Sequence, residues 1–236
     1  MTTLNLFSSE VNPGLQLHHW TRLARGAAPA QSQPTAAWAE RALPSRGELI
    51  GAPALEPDAS YQAAFLARRS TRAYADRPLE LATVLQLLRL SRPATATGAA
   101  VLLPLALNVA GLAPGAYRFV PAAGALAPLV AADPRPLLRE YCYQAEFVAA
   151  PLFILLASSL GGHLEHGGDR AYRRMLIETG QLLQHLGLAC AALGLEGSVT
   201  GSLIQPPIAE WLGLDGYAGT VLLAFAVGAA GGTSHE

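Results

Sequence analysis

Residues 67–79 read ARRSTRAYADRPL, with Arg68, Arg69 and Arg72 flanking Ser70 and Thr71. Guanidinium forks present planar, paired N–H donors that match phosphate oxygens, and a neighbouring hydroxyl adds another donor. Cations packed this closely repel one another unless they share an anion. Two readings stand side by side: arginines complementing the C-terminal dipole of a helix, or a cradle for a phosphate. A second polar cluster, HLEHGGDRAY, offers His163, Glu165, His166, Asp169 and Tyr172. Imidazole titrates near neutrality, so His166, or Tyr172 beside it, is a candidate for general acid/base work; the alternative is an exposed polar loop. No ligand spacing of a known metal site occurs there, so no metal is expected. A third stretch, GSVTGS (residues 197–202), reads as a glycine-flanked polar turn whose backbone N–H groups can face a ligand. No GxSxG is present, and no Ser/His/Asp arrangement can be traced from spacing.

The chain around these groups has 236 residues, is 51% hydrophobic, and carries 16 basic against 17 acidic side chains. That balance argues against nucleic acid as a partner. Every cationic side chain other than histidine is arginine, so no lysine is available as a base, Schiff-base former or phosphate ligand. Cys142 and Cys190 lie far apart without metal or CxxC spacing and are expected to be reduced and structural. The N-terminal residues lack a basic region followed by an apolar core, which predicts no secretory signal and a cytoplasmic protein. The apolar runs FVAAPLFILLASSLGG (147–162) and TVLLAFAVGAAGG (220–232) are shorter than the ~20 residues of a spanning helix and end in glycines. They predict buried strands, no membrane span, and surplus apolar surface covered in an oligomer.

The elements that must position the polar clusters follow from periodicity. Residues 1–58 read as a Pro/Ala/Gly-punctuated arm wrapping a core or a neighbour, and 59–236 as the domain proper. YQAAFLARR predicts a helix closing on the arginines. A second helix follows over LATVLQLLRLSR, with Leu81, Val84, Leu85 and Leu88 on one face. Residues 101–130 predict two strands, the second at YRFV with a tight turn at PAAG. Then come a helix over 134–145, a buried strand over 148–157, and a glycine-rich loop at GGHLEHGGD. The longest helix is expected over 170–195, with Leu176, Thr179, Leu183, Leu186, Cys190 and Leu193 recurring and Gly194 as its terminator. A short helix at PIAEWLG and a last strand complete an α+β layout. No GxGxxG follows a strand, so a Rossmann nicotinamide site has no support.

Taken in order, these pieces resemble the nitroreductase superfamily. RRSTRAYADRPLELATVLQLL is similar to its opening Arg-x-Ser-x-Arg/Lys segment. More narrowly the chain resembles the SagB-type dehydrogenases, which include azoline oxidases: HHWTR is similar to an early His-x-x-Thr/Ser signature, and GLAPGAYRFVPAAGALAPL to a paired-strand motif. DRAYRRMLIETGQLLQHLGLACAALGLEGSVTGS is similar to that group's long interface helix and following turn. The resemblance covers roughly residues 15–228. It implies a sheet-and-helix sandwich forming an intertwined dimer, with FMN at the dimer interface. Arg68, Arg69, Ser70 and Arg72 would hold the phosphate, ribitol and pyrimidine edge. Thr200 and Gly201 would sit beside flavin N5, where an N–H donor stabilises the reduced ring.

Three departures accompany the resemblance. Where azoline oxidases carry a Lys-Tyr pair, this chain has His166 and Gly167, leaving His166, or Tyr172, as the proton acceptor. The family's Pro-Ser-x-Gly flavin contact is replaced by ATATGAA, with Thr97 and Gly98 in its place. No arginine or lysine follows the last strand. The leading implication is an FMN-dependent oxidoreductase taking two electrons from a peptide or other natural-product intermediate, as in azoline-to-azole or Cα–Cβ dehydrogenation. The alternatives are a degenerate paralogue acting as a structural partner without flavin turnover, and an NAD(P)H-driven nitro- or quinone reductase. The partners implied are a second copy of the chain, or an active paralogue in a heterodimer, and a peptide or small-molecule substrate.

Overall fold

The computed structural model describes residues 37–53, 60–91, 100–167 and 169–231. The apolar runs become six antiparallel strands: β2 (Ala100–Ala106), β4 (Gly115–Val120), β5 (Ala125–Val130), β6 (Leu152–Ser158), β7 (Leu195–Thr200) and β8 (Thr220–Ala229). They lie in the order β5-β4-β2-β6-β8-β7, so β5 and β7 are the edges. A separate parallel pair joins β1 (Leu79–Glu80) to β3 (Val109–Ala110). The helices are α1 (Ala37–Ala42), α2 (Tyr61–Ala67), α3 (Leu81–Ser91), α4 (Arg135–Tyr141), α5 (Leu160–Gly167), α6 (Asp169–Ala192) and α7 (Gln205–Leu212), with a 3₁₀ turn at Ala145–Ala149. The expected α+β sandwich is observed.

Alternation across the pleat divides the sheet's side chains between two cores. On one face Val101, Leu103, Phe153, Leu155, Ala224 and Ala226 meet Trp38 of α1, Leu138 of α4 and Ile208 and Leu212 of α7. On the other, Leu102, Ile154, Leu156, Phe225 and Val227 meet Val84, Leu85 and Leu88 of α3 and Leu182, Leu186 and Cys190 of α6. With both faces covered, β2 and β6 are buried along their whole length. This is why they read as unbroken apolar runs. Among the described residues no helix is long and apolar enough to cross a membrane.

The described part of the arm is built into this core. Trp38, Ala39 and Leu43 are buried, the Arg118 Nε–H donates to the Leu43 carbonyl at 3.2 Å, and Ile50 bridges Leu126 of β5.

Four sequence expectations are corrected. The region 101–130 holds three sheet strands and the short β3 rather than two strands. Pro128 disguised β5, but an edge strand tolerates a residue without an N–H. Pro104, inside β2, coincides with the end of the β2–β4 ladder at Leu105↔Ala116. The stretch GGHLEHGGD is largely helix α5, not a loop. The Ser159 hydroxyl accepts from the Gly162 N–H at 2.9 Å as an N-cap, and His163 is fully buried on the inner side. Gly161 is there because the Tyr217 ring lies where its Cβ would be, 2.5 Å away. On α6 the buried stripe runs through Ala171, Met175, Thr179, Leu182, Leu186 and Cys190, while Leu176 faces outward and is 42% exposed beside Ile177 at 62%. Finally, GSVT of GSVTGS belongs to β7, and only its last residues form a turn.

Two consequences are measurable. Gly161→Ala drives a methyl into the Tyr217 ring and should cost about 1–3 kcal/mol in denaturant unfolding; combined with Tyr217→Ala, that added loss should vanish. Asp215 accepts from the N–H groups of Tyr217 at 2.8 Å, Gly219 at 3.3 Å and Ala218 at 2.7 Å, which holds its carboxyl below the usual range. A depressed folded pKa stabilises above the unfolded value of about 3.9. That stability is lost as pH falls through the lower folded value. Asp215→Asn keeps an acceptor without titrating, so its acid-unfolding curve should be shallower than that of the natural chain.

Candidate active site

The arginine segment begins where α2 stops. The Arg68 N–H donates to the Ala64 carbonyl at 3.0 Å as the helix closes, and Arg68 then turns to extended geometry. Its half-buried stem lies over α6 at Gly187, where a Cβ would stand 3.2 Å from Arg68 Cδ. A larger residue at Gly187 would push that stem away. Arg69 folds back, its Nη1 donating to the carbonyls of Leu66 at 2.8 Å and Arg68 at 2.9 Å. This is the helix-end use of an arginine.

From Ser70 onward the chain lies along edge strand β7. Ser70 bridges Gly197 in parallel, and the Thr71 N–H donates to the Gly197 carbonyl at 3.2 Å. The segment then crosses to the end of β8, where the Ala75 N–H donates to the Ala229 carbonyl at 3.0 Å. Tyr74 packs down between them, its hydroxyl donating to the Thr71 carbonyl at 3.0 Å. Burial pushes the Tyr74 phenol well above its ordinary pKa, so it stays protonated and serves as a strut.

Arg72 points to the 3₁₀ turn. Its Nη1 lies 3.8 Å from Glu146 Oε1, and its guanidinium sits 5.7 Å from the Phe147 ring centroid. Glu146 Oε1 accepts from Gln144 Nε2 at 3.5 Å, and Gln144 Oε1 accepts from the Thr200 hydroxyl at 2.9 Å. Thr200 Oγ1 in turn accepts from the Ser202 N–H at 3.1 Å. The backbone braces the same place. The Tyr143 N–H donates to the Ser202 carbonyl at 3.0 Å, the Ile204 N–H to the Tyr141 carbonyl at 2.8 Å, and Cys142 bridges Leu203. A continuous path therefore runs from Arg72 to Thr200 and the exposed Gly201.

The structure thus gathers Ser70, Arg72, Thr200 and Gly201 along β7 and its end, with Arg68 just upstream. Tyr172 is half-buried in the first turn of α6, and no hydrogen bond among the described residues ties it to this group. His166 belongs to α5 by its backbone; its side chain lies outside the described residues, as do Thr97 and Gly98. His163, offered above as part of a polar loop, is interior, with Nε2 3.1 Å from the Ser158 hydroxyl. Gln144 and Glu146 were not singled out from the sequence. Gln144 meets Thr200 across 56 positions of chain, and nothing in local spacing signals such a contact. Cys142 and Cys190 are free and buried, and burial pushes both thiols up, away from nucleophilic use. Among the described residues no three His, Cys, Asp or Glu side chains gather to hold a metal.

Comparison with known proteins places this geometry in a family. The nitroreductase family model matches residues 66–229, from the arginine segment through the last strand. Among solved structures, an Anabaena variabilis protein assigned as a nitroreductase shares 21% identity at a TM-score of 0.74. The match covers 91% of this chain and 46% of that one, so the present chain spans about half of that relative's length. The Escherichia coli microcin synthetase McbBCD complex, solved with truncated pro-MccB17 bound, matches at 17% identity and a TM-score of 0.60, over 94% of this chain and 99% of that one. The NADPH:FMN oxidoreductase of Vibrio harveyi, complexed with NAD+, matches at 16% identity and a TM-score of 0.52, over 72% and 68%. No protein of curated function matches. These likenesses establish the fold, and the match over most of the chain establishes the kinship: the protein belongs to the nitroreductase family.

Proposed function

We propose that the chain is an FMN-dependent oxidoreductase that removes two electrons from a peptide or natural-product intermediate. The observation that carries this reading is the pairing of the arginine segment with β7, which sets Ser70 against Gly197 and links Arg72 through Glu146 and Gln144 to Thr200 at the strand's end. The donor set fits a phosphorylated flavin. Among the described residues neither the Arg68 guanidinium nor the Ser70 hydroxyl has a hydrogen-bond partner, so both are available to an anion. Besides its contact with the Phe147 ring, the one polar partner of Arg72 among the described residues is an exposed carboxylate, a pairing worth about 1 kcal/mol or less.

FMN supplies two-electron transfer at its N5 position. The chain supplies the rest. Arg68, Ser70 and Arg72 bind the phosphate and polar edge. Gly201, exposed and without a side chain, lets a ring system approach the backbone at the end of β7. Thr97 and Gly98 are assigned to the same cofactor, and His166, or Tyr172, receives the proton that leaves with the substrate's hydrogens. Azoline-to-azole oxidation is the leading chemistry; the microcin synthetase complex, with truncated pro-MccB17 bound, supports a peptide substrate.

One observation favours the alternative, a partner subunit without turnover. Arg69 turns its Nη1 to two backbone carbonyls and Arg72 faces Glu146, so of the three arginines flanking Ser70 and Thr71 only Arg68 lacks a polar partner for its side chain among the described residues. The flavin spectrum of the purified protein separates the two. Stoichiometric visible absorbance supports the enzyme, and a colourless protein under excess FMN supports the partner. Arg68→Glu should weaken FMN binding about tenfold or more, as expected for a lost charge-assisted bond. Arg69→Gln should change it far less. Full occupancy in Arg68→Glu would return the segment to a charged helix end. With flavin bound, oxygen uptake on an azoline peptide marks the oxidase, whereas NAD(P)H consumption with a quinone or nitro acceptor marks the reductase. Turnover unchanged across pH in His166→Ala would dismiss that residue as the proton acceptor.

A homodimer is part of the proposal. Tyr61, Phe65 and Leu66 on α2 and Leu176 and Ile177 on α6 are exposed apolar side chains on two helices that pack together. Ile177→Asp should shift sedimentation from dimer towards monomer; an unshifted dimer would place the interface elsewhere.

A further inference from the structure

The side chains between Arg72 and Thr200 do more than fill space. Thr200 is almost wholly buried, so its hydroxyl proton needs an acceptor, and Gln144 Oε1 at 2.9 Å provides it. With the oxygen of that amide committed, its NH₂ group must face the other way, and there it meets Glu146 Oε1 at 3.5 Å. Glu146 in turn faces Arg72 at 3.8 Å, with both side chains well exposed, 57% for the arginine and 40% for the glutamate. The path is tight at the turn and loose at the arginine. The tight bonds fix Thr200 and Ser202, and the loose ones exchange partners easily.

We propose that Gln144 and Glu146 are positioning residues that couple occupancy of the arginine segment to the geometry of the Thr200–Ser202 turn. An anion bound at Arg72 displaces the Glu146 carboxylate. Glu146 then changes its hold on the Gln144 amide, and Gln144 resets the Thr200 hydroxyl and the Ser202 N–H bonded to it. Glu146 acts as the resident stand-in for the anion. This deepens the flavin reading and rests on it for the identity of the anion, but the link itself exists in the flavin-free chain.

The decisive experiment uses the full-length, ¹⁵N-labelled, flavin-free protein. Arg72→Gln and Glu146→Gln, both at exposed side chains, should each shift the backbone amide resonances of Thr200, Gly201 and Ser202. In a Gln144→Met background neither substitution should move them. Gln144→Glu keeps an acceptor for Thr200 but loses the donor to Glu146, so it should hold the turn's resonances near their natural positions while also blocking transmission. The link is overturned if Arg72→Gln leaves the three amides in place, or moves them equally in the Gln144→Met background. A second readout applies to the FMN-loaded protein. Losses of FMN affinity from Arg72→Gln and Gln144→Met should fall short of multiplying, by about threefold or more in the double variant; strictly multiplicative losses would also overturn the link. A chain that binds no FMN sinks the flavin reading and leaves the resonance experiment to decide the coupling.

Discussion

The placement of the whole candidate site depends on one backbone contact, the Thr71 N–H donating to the Gly197 carbonyl. β7 is an edge strand, and its outward N–H and C=O groups would otherwise be open to any passing strand. The segment from Ser70 to Ala75 meets that edge at Gly197 and passes to the end of β8. In doing so it takes its direction from the sheet rather than from α2. Glycine makes the approach feasible. A Cβ on Gly197 would stand 2.4 Å from the Phe225 ring and 2.9 Å from the Ala226 carbonyl, and one on Gly228 would stand 2.7 Å from the Tyr74 ring. A side chain at Gly197 would therefore disturb Phe225, in the core shared with α3 and α6, and the register of the arginine segment with it.

The division of labour along the segment follows from this contact. Residues before it belong to the helix, and Arg69 caps it. Residues after it belong to the sheet, and Tyr74 anchors them over Gly228. Arg72 lies between these anchors, with its backbone directed by β7 and its side chain free to reach the 3₁₀ turn at Glu146. Local sequence builds the knot of charge, but long-range packing decides which arginine faces what.

That distinction explains what was legible in the sequence. The α3 face, the long helix with Gly194 at φ 65° as its stop, and the two apolar runs all follow from periodicity and composition. They depend on neighbours three or four residues away, or on wholesale burial. The α5 helix was hidden because its three glycines outweigh, on propensity, a single capping serine; packing of Tyr217 on Gly161 and burial of His163 supply what propensity lacks. Leu176 was misplaced because leucine reads as core whether it faces the core or a partner surface. The site was legible as separate pieces, arginines and a Thr-Gly turn, whose order in the chain suggested their kinship. Gln144 and Glu146, which join them, were not legible, because an amide and a carboxylate after a short helix carry no pattern until the fold brings residues 144 and 200 together.

The absence of lysine sharpens the assignment of the cations. Several arginines of this chain act as clasps for backbone carbonyls, a task suited to a planar fork with several donors. Arg89 Nη2 donates to Ala52 at 3.0 Å and Gly124 at 2.9 Å, Arg118 to Leu43, Arg135 to Leu107, and Arg69 to Leu66 and Arg68. Each clasp joins two segments or closes a helix, and each removes a guanidinium from the pool that could meet a ligand. Arg68 and Arg72 are not used this way. Among the described residues neither side chain donates to a carbonyl; one lies with its stem over Gly187, and the other faces the exposed Glu146 carboxylate. The helix-end reading of RRSTR and the phosphate reading are therefore not rivals for the whole stretch. Arg69 takes the first; Arg68, Ser70 and Arg72 make no such clasp, and the second is proposed for them.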